Sequence, residues 1–171
     1  MVDVANVMGA RPDGWWRNRA EAALRLGREV VALAQRGAML PGNGPAGAWV
    51  LVVEGQARET AEMLTEEAAA AESSPSDVPL EEALPGELFS EETQTANAQI
   101  ADEGAVETGR RPLVRVVSSP GSGDDAIVGV VAETVASDEI CLVVTADRAL
   151  RQRCEDLNAA VVGPGWLLRL L

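Results

Sequence analysis

The chain has 171 residues, 47% of them hydrophobic but only 3% aromatic, enough for one hydrophobic core and short for two. With no histidine and two well-separated cysteines, Cys141 and Cys154, it lacks the ligands of a conventional zinc site and the general base of a histidine-dependent hydrolase. The formal charge of −13 is uneven: residues 54–107 hold 15 acidic residues against Arg58 alone, while the remainder carries 12 acidic and 13 basic residues, a net +1.

In chain order, "MVDVANVMG" (1–9) reads as a short buried strand interrupted by Asp3 and Asn6. "ARPDGWW" is a loop, and a helix is expected from about Arg17 to Gln35, with Leu26, Val30 and Leu33 spaced for one buried stripe. Gly42, Gly44 and Gly47 formally spell GxGxxG. They precede a strand and enclose Pro45, the reverse of the dinucleotide-binding context, so this segment reads as a connector. "AWVLVVEG" is the second strand, and Gln56 to Ala71 favours a helix crossing back to a parallel sheet.

Residues 72–112 are rich in Ser, Pro, Glu and Thr and read as an acidic, disordered insertion in a single domain spanning 1–171. Order is expected to resume with a strand at Leu113–Val117 and a helix carrying Ile127, Val130, Val131 and Thr134 on one face. "EICLVVTA" is another strand, Leu150, Cys154 and Leu157 are the buried positions of the next helix, and Ala159–Val162 is a final strand. A terminal turn or helix around Trp166–Leu171 uses Trp166 as a core anchor. The alternation of strands and helices predicts a three-layer α/β fold with a mainly parallel sheet. No apolar run reaches 18 residues, the first residues lack the order of a signal peptide, and cysteine usage suits a reduced compartment, so a cytoplasmic chain away from membranes is expected.

Ligand sites of parallel α/β sheets lie at the carboxyl ends of the strands. Asp3 on the first strand, Asp124 and Asp125 before the helix that follows the third, and Asp147 after "CLVVT" are therefore the acids able to converge. Close carboxylates need a compensating cation or proton, and oxygen ligands suit Mg²⁺ or Mn²⁺. Such a centre hydrolyses phosphate esters by holding phosphate and activating water. Each aspartate also has a plainer reading, since Asp is a good helix cap, and Asn6 suits either ligand support or a local turn.

"VDVANVMGARPDGWW", "SSPGSGDDAIV" and "CLVVTADRALRQRCEDLNAAVVGPGWLLRLL" resemble the PIN-like and NYN-like nuclease superfamily over roughly residues 1–54 and 113–171. The resemblance implies a Rossmann-like fold and a divalent-metal ribonuclease acting on single-stranded RNA. It places Asp3, Asp124, Asp125 and Asp147 as metal ligands and catalytic acids, with Asn6 and Thr145 as polar companions. Val4 stands where related proteins often carry glycine, and for an extra acid after the second strand Glu54 is the nearest candidate, with an ordinary solvated role as its alternative.

Trp15 and Trp16 are placed to stack on bases while Arg11, Arg17 and Arg19 meet phosphate. Packing of the first helix against the sheet is the competing role. Arg148, Arg151 and Arg153 form a second candidate phosphate surface or a solvated helix face. RNA specificity comes from the resemblance alone. A nucleic-acid-binding module without turnover and a nucleotide phosphohydrolase stand as alternatives, and a homo-oligomer is left open.

Overall fold

The computed structural model describes residues 1–40, 44–45, 47–73 and 113–171. Nearly all of the acidic insertion expected at 72–112 lies outside the described residues. The elements are β1 (Val2–Asp3), α1 (Val4–Gly9), α2 (Arg19–Gln35), β2 (Met39–Leu40), β3 (Gly44–Pro45), β4 (Trp49–Val53) and α3 (Ala61–Ser73). They continue with β5 (Val114–Ser118), α4 (Gly123–Ala136), β6 (Leu142–Val144), α5 (Arg148–Glu155), β7 (Ala160–Val162) and α6 (Pro164–Leu168).

Five strands form one all-parallel sheet in the order β5-β4-β1-β6-β7. The chain starts at the centre with β1, steps outward through β4 and β5, then returns to the other side of β1 for β6 and β7. This reversal leaves a crevice beyond the carboxyl ends of β1 and β6, where doubly wound folds receive ligands.

Alternation along the strands feeds two apolar layers. Trp49, Leu51 and Val53 of β4 join a core with α1, α2, α3 and Leu167 of α6. Val52 faces the opposite side with Ile127 and Val131 of α4, Val143 of β6, and Leu150 and Cys154 of α5. Helices thus cover both faces, giving the expected Rossmann-like three-layer arrangement. Each fully buried Leu or Ile in these layers contributes about 1.5–3 kcal/mol. On the first face α2 and α3 approach so closely that a β-carbon on Gly27 would lie 2.4 Å from Leu64 Cδ2.

The strand expected over residues 1–9 is corrected: it ends at Asp3, and Val4–Gly9 is helical. The apolar run interrupted by Asp3 and Asn6 suggested a strand, but within Val4–Gly9 the buried residues are Val4, Val7 and Met8, a spacing of three and one that belongs to a helix face. Asp3 begins the helix by accepting a hydrogen bond from the Asn6 N–H at 3.0 Å, and that cap overrides the poor helix propensity of the valines. The second helix starts two residues late because Trp15–Arg17 form a 3₁₀ turn and Asn18 caps Glu21. Among the described residues no helix is long and apolar enough to cross a membrane.

Candidate functional site

Asp3 is the last residue of the central strand and only 6% exposed. Its Oδ1 accepts from the Asn6 N–H and its Oδ2 from the Thr145 hydroxyl at 2.9 Å. Thr145, fully buried just past β6, accepts in turn from the Asp147 N–H at 3.1 Å. Asp147 caps α5 through Oδ1, which accepts from the Leu150 N–H at 2.8 Å. The Asn6 side-chain oxygen accepts from the Ala146 N–H at 3.2 Å, so α1 and the segment after β6 are held together across the crevice. Capping and site placement are not alternatives for Asp3 and Asp147. Each caps a helix at a strand end; Asp3 has both oxygens engaged, by the Asn6 N–H and Thr145, while Asp147 uses Oδ1 alone.

Asp124 and Asp125 differ. The cap of α4 is Ser122, which accepts from the Asp125 N–H, leaving neither aspartate side chain needed as a cap. Asp124 is half-buried, and its pKa is raised by burial first and then by the negative charges of Asp147, Asp3 and Glu54, with Arg153 acting against them. Asp3 is raised as well, by burial above all and also by Glu54, while its hydrogen bonds from Asn6 and Thr145 pull the other way. Acids from four strand ends therefore share one field. Asp125 does not join them: it is exposed and paired with Arg153 at 2.7 Å.

Glu54 immediately follows β4, and its Oε2 accepts from the Gly123 N–H at 2.6 Å at the amino end of α4. A β-carbon on Gly123 would meet that oxygen at 2.6 Å and the Glu54 carboxyl carbon at 2.9 Å. The glycine is required by this close approach, since its backbone angles lie outside the positive-φ region. Gly123→Ala is expected to expel Glu54 from the group with little change in melting temperature and, on the cation-dependent reading proposed below, to weaken Mn²⁺ binding about 10- to 100-fold, the range for losing a supporting partner of a metal site. Comparing it with Glu54→Gln checks the link, because both should weaken binding together.

The substrate-side residues are distributed unevenly. Arg11 is tied to Glu29, and Arg151 donates to Glu155 and to the Val161 carbonyl, so both serve packing. Trp15 packs on the core, edge-to-face with Trp16 at 6.2 Å and beneath Arg19 at 5.4 Å. Trp16 is 59% exposed, and Arg17 and Arg148 are exposed too. A shallow open cavity of 440 Å³ is walled by Ala5, Asn6, Gly9, Ala10 and Ala146. It adjoins the Asp3–Thr145 network, and Trp15 borders it by lying 3.9 Å from the β-carbon position of Gly9. A larger cavity of 560 Å³ opens at the other ends of the strands, by Met1, Trp49 and Leu142. Neither cavity is lined by the strand-end acids, but the smaller one adjoins them through Asn6 and Ala146.

The donor set at the strand ends is oxygen throughout, which suits Mg²⁺ or Mn²⁺. Among the described residues, however, no three acids close around a single point that would hold a metal ion. The arrangement fits a cation held by one or two carboxylates with water completing the shell, a mode Mg²⁺ commonly adopts. It does not fit a closed protein cage. No family model, curated protein or solved structure matches the chain.

Proposed function

We propose that the chain is a divalent-cation-dependent ribonuclease that hydrolyses phosphodiester bonds in single-stranded RNA. The observation that carries this reading is the gathering of acids at the switch point of an all-parallel sheet, where Asp3 and Asp147 are joined through Thr145 and Glu54 is bonded to the start of α4 beside Asp124. Like charges gathered in a half-buried crevice are a standing request for a cation. The resemblance of the strand-end motifs to PIN-like and NYN-like nucleases supports RNA as the polymer.

A bound Mg²⁺ or Mn²⁺ would polarise the phosphate and lower the pKa of a coordinated water. Asp124 and Asp147 are the residues best placed to hold it, with Asp3 fixed behind them by Asn6 and Thr145. Asn6 accepts from the Ala146 N–H with its side-chain oxygen and turns its side-chain amide toward Asp3, so it orients that carboxylate at the edge of the cavity. Trp16 offers an exposed face for a base.

That no three acids among the described residues close around one point favours a second reading, a nucleic-acid-binding module without turnover. Purified protein incubated with single-stranded RNA, duplex RNA, DNA and nucleotides, with Mg²⁺, Mn²⁺ or chelator, separates the two. Cation-dependent cleavage of single-stranded RNA is the expected result. RNA binding without turnover would assign the module, and turnover of nucleotides alone would assign a phosphohydrolase.

A further inference from the structure

An acidic crevice that receives a polyanion needs a cationic side chain at its rim, or the phosphate is repelled before it arrives. Arg153 projects from α5 and donates through Nη2 alone to Asp125 Oδ1 on α4. Among the described residues its Nε and Nη1 groups make no hydrogen bond, so one nitrogen anchors the guanidinium while the others stay presented. Its charge reaches Asp124, on which it opposes the surrounding acids. Arg151, on the same helix, also uses a single nitrogen, Nη1, but on Glu155 and the Val161 carbonyl of β7, whereas Arg153 is drawn to α4 beside Asp124. Asp125 stands outside the acidic field and is spent on holding this one arginine.

We propose that Arg153 is the phosphate-binding side chain of this site and that Asp125 is its positioning residue, not a cation ligand. The proposal rests on the ribonuclease reading for its choice of RNA phosphate as the anion. Arginine suits the task because its planar fork offers several N–H donors, and part of that fork is already fixed before the ligand comes. If the pair were only a surface bridge between two helices, it would contribute little to stability and nothing to binding.

The test is binding of a labelled single-stranded RNA oligonucleotide in chelator, across a salt series, by wild type, Arg153→Gln, Asp125→Asn and the double variant. Arg153→Gln is expected to weaken binding about tenfold and to reduce the slope of log K against log salt by about 0.7, the loss of one phosphate contact. Asp125→Asn is expected to weaken binding severalfold although it removes a negative charge, which simple electrostatics predicts should tighten it. The double variant should bind no more weakly than Arg153→Gln, because Asp125 acts through Arg153.

Unchanged or tighter binding by Asp125→Asn, or additive losses in the double variant, would overturn the proposal. Melting curves on all four proteins exclude misfolding as the cause of a loss. A parallel cleavage assay with Mn²⁺ separates the two levels of the argument. Wild-type binding that follows these rules without cleavage would overturn the ribonuclease reading and sustain Arg153 as an anion-binding residue, whereas no wild-type RNA binding would overturn both.

Discussion

Asp124→Asn is expected to raise the melting temperature at neutral pH while reducing cation-dependent RNA cleavage by more than about 100-fold, beyond the loss typical of a merely supporting residue. The amino end of α4 favours an anion by about 0.3–1 kcal/mol. Burial and the charges of Asp147, Asp3 and Glu54 act in the opposite direction, and the raised pKa of Asp124 shows that they prevail. Because the folded-state pKa lies above the unfolded one, the folded chain binds more protons between the two values. Stability therefore falls as pH rises through that window, and the deficit persists above it. Asn removes this deficit at pH 7 and has nothing to remove well below the unfolded value. Thermal melts of wild type and variant across acid and neutral pH check the sign, and added Mn²⁺ should stabilise wild type more than the variant. A lower melting temperature with cleavage intact would mean that Asp124 is an ordinary first-turn aspartate.

The second large effect is expected from Thr145→Val, which keeps the shape of a fully buried side chain and deletes its hydroxyl. That hydroxyl donates to Asp3 Oδ2 and accepts from the Asp147 N–H, so its loss leaves a buried carboxylate oxygen and an amide without their partners. The destabilisation should be about 1–3 kcal/mol. Asp3 would lose one of the interactions that lower its pKa, raising it further. The destabilisation should therefore be greater at pH 8 than at pH 5, and the acid limb of the activity profile should move to higher pH. Thr145→Ser should restore most of both. Equal melting temperatures for Val and wild type at pH 8 would show that the hydroxyl does not organise the site.

Element type was legible where apolar periodicity was long. Leu26 and Val30 of α2, or Ile127, Val130 and Val131 of α4, announce their buried faces, and the five strands follow from short β-branched runs between them. It failed at residues 4–9 because a short apolar run broken by Asp3 and Asn6 looks like a buried strand until the capping role of Asp3 is known. The double aspartate of α4 was legible as functional or capping but not as which. Only the fold shows that Ser122 is the cap, accepting from the Asp125 N–H, so that neither aspartate side chain is needed for capping. Glu54 sits at a strand end, yet it also opens a long acidic stretch, so its sequence context hid the contact with Gly123. Ion pairs such as Arg11 with Glu29, 18 residues apart, have no local signature, and only the fold shows that this arginine is already occupied.

A cation-dependent ribonuclease of this kind requires that the strand-end acids act together on one cation. A titration of Mn²⁺ followed by electron paramagnetic resonance, on wild type, Asp3→Asn, Asp124→Asn, Asp147→Asn and Asp125→Asn, measures this without RNA. Saturable binding by wild type is expected, weakened at least about tenfold by the first three substitutions and changed less than about threefold by Asp125→Asn, whose side chain is exposed and paired with Arg153. Wild-type binding that survives substitution of Asp3, Asp124 and Asp147, or no saturable binding at all, would contradict that reading.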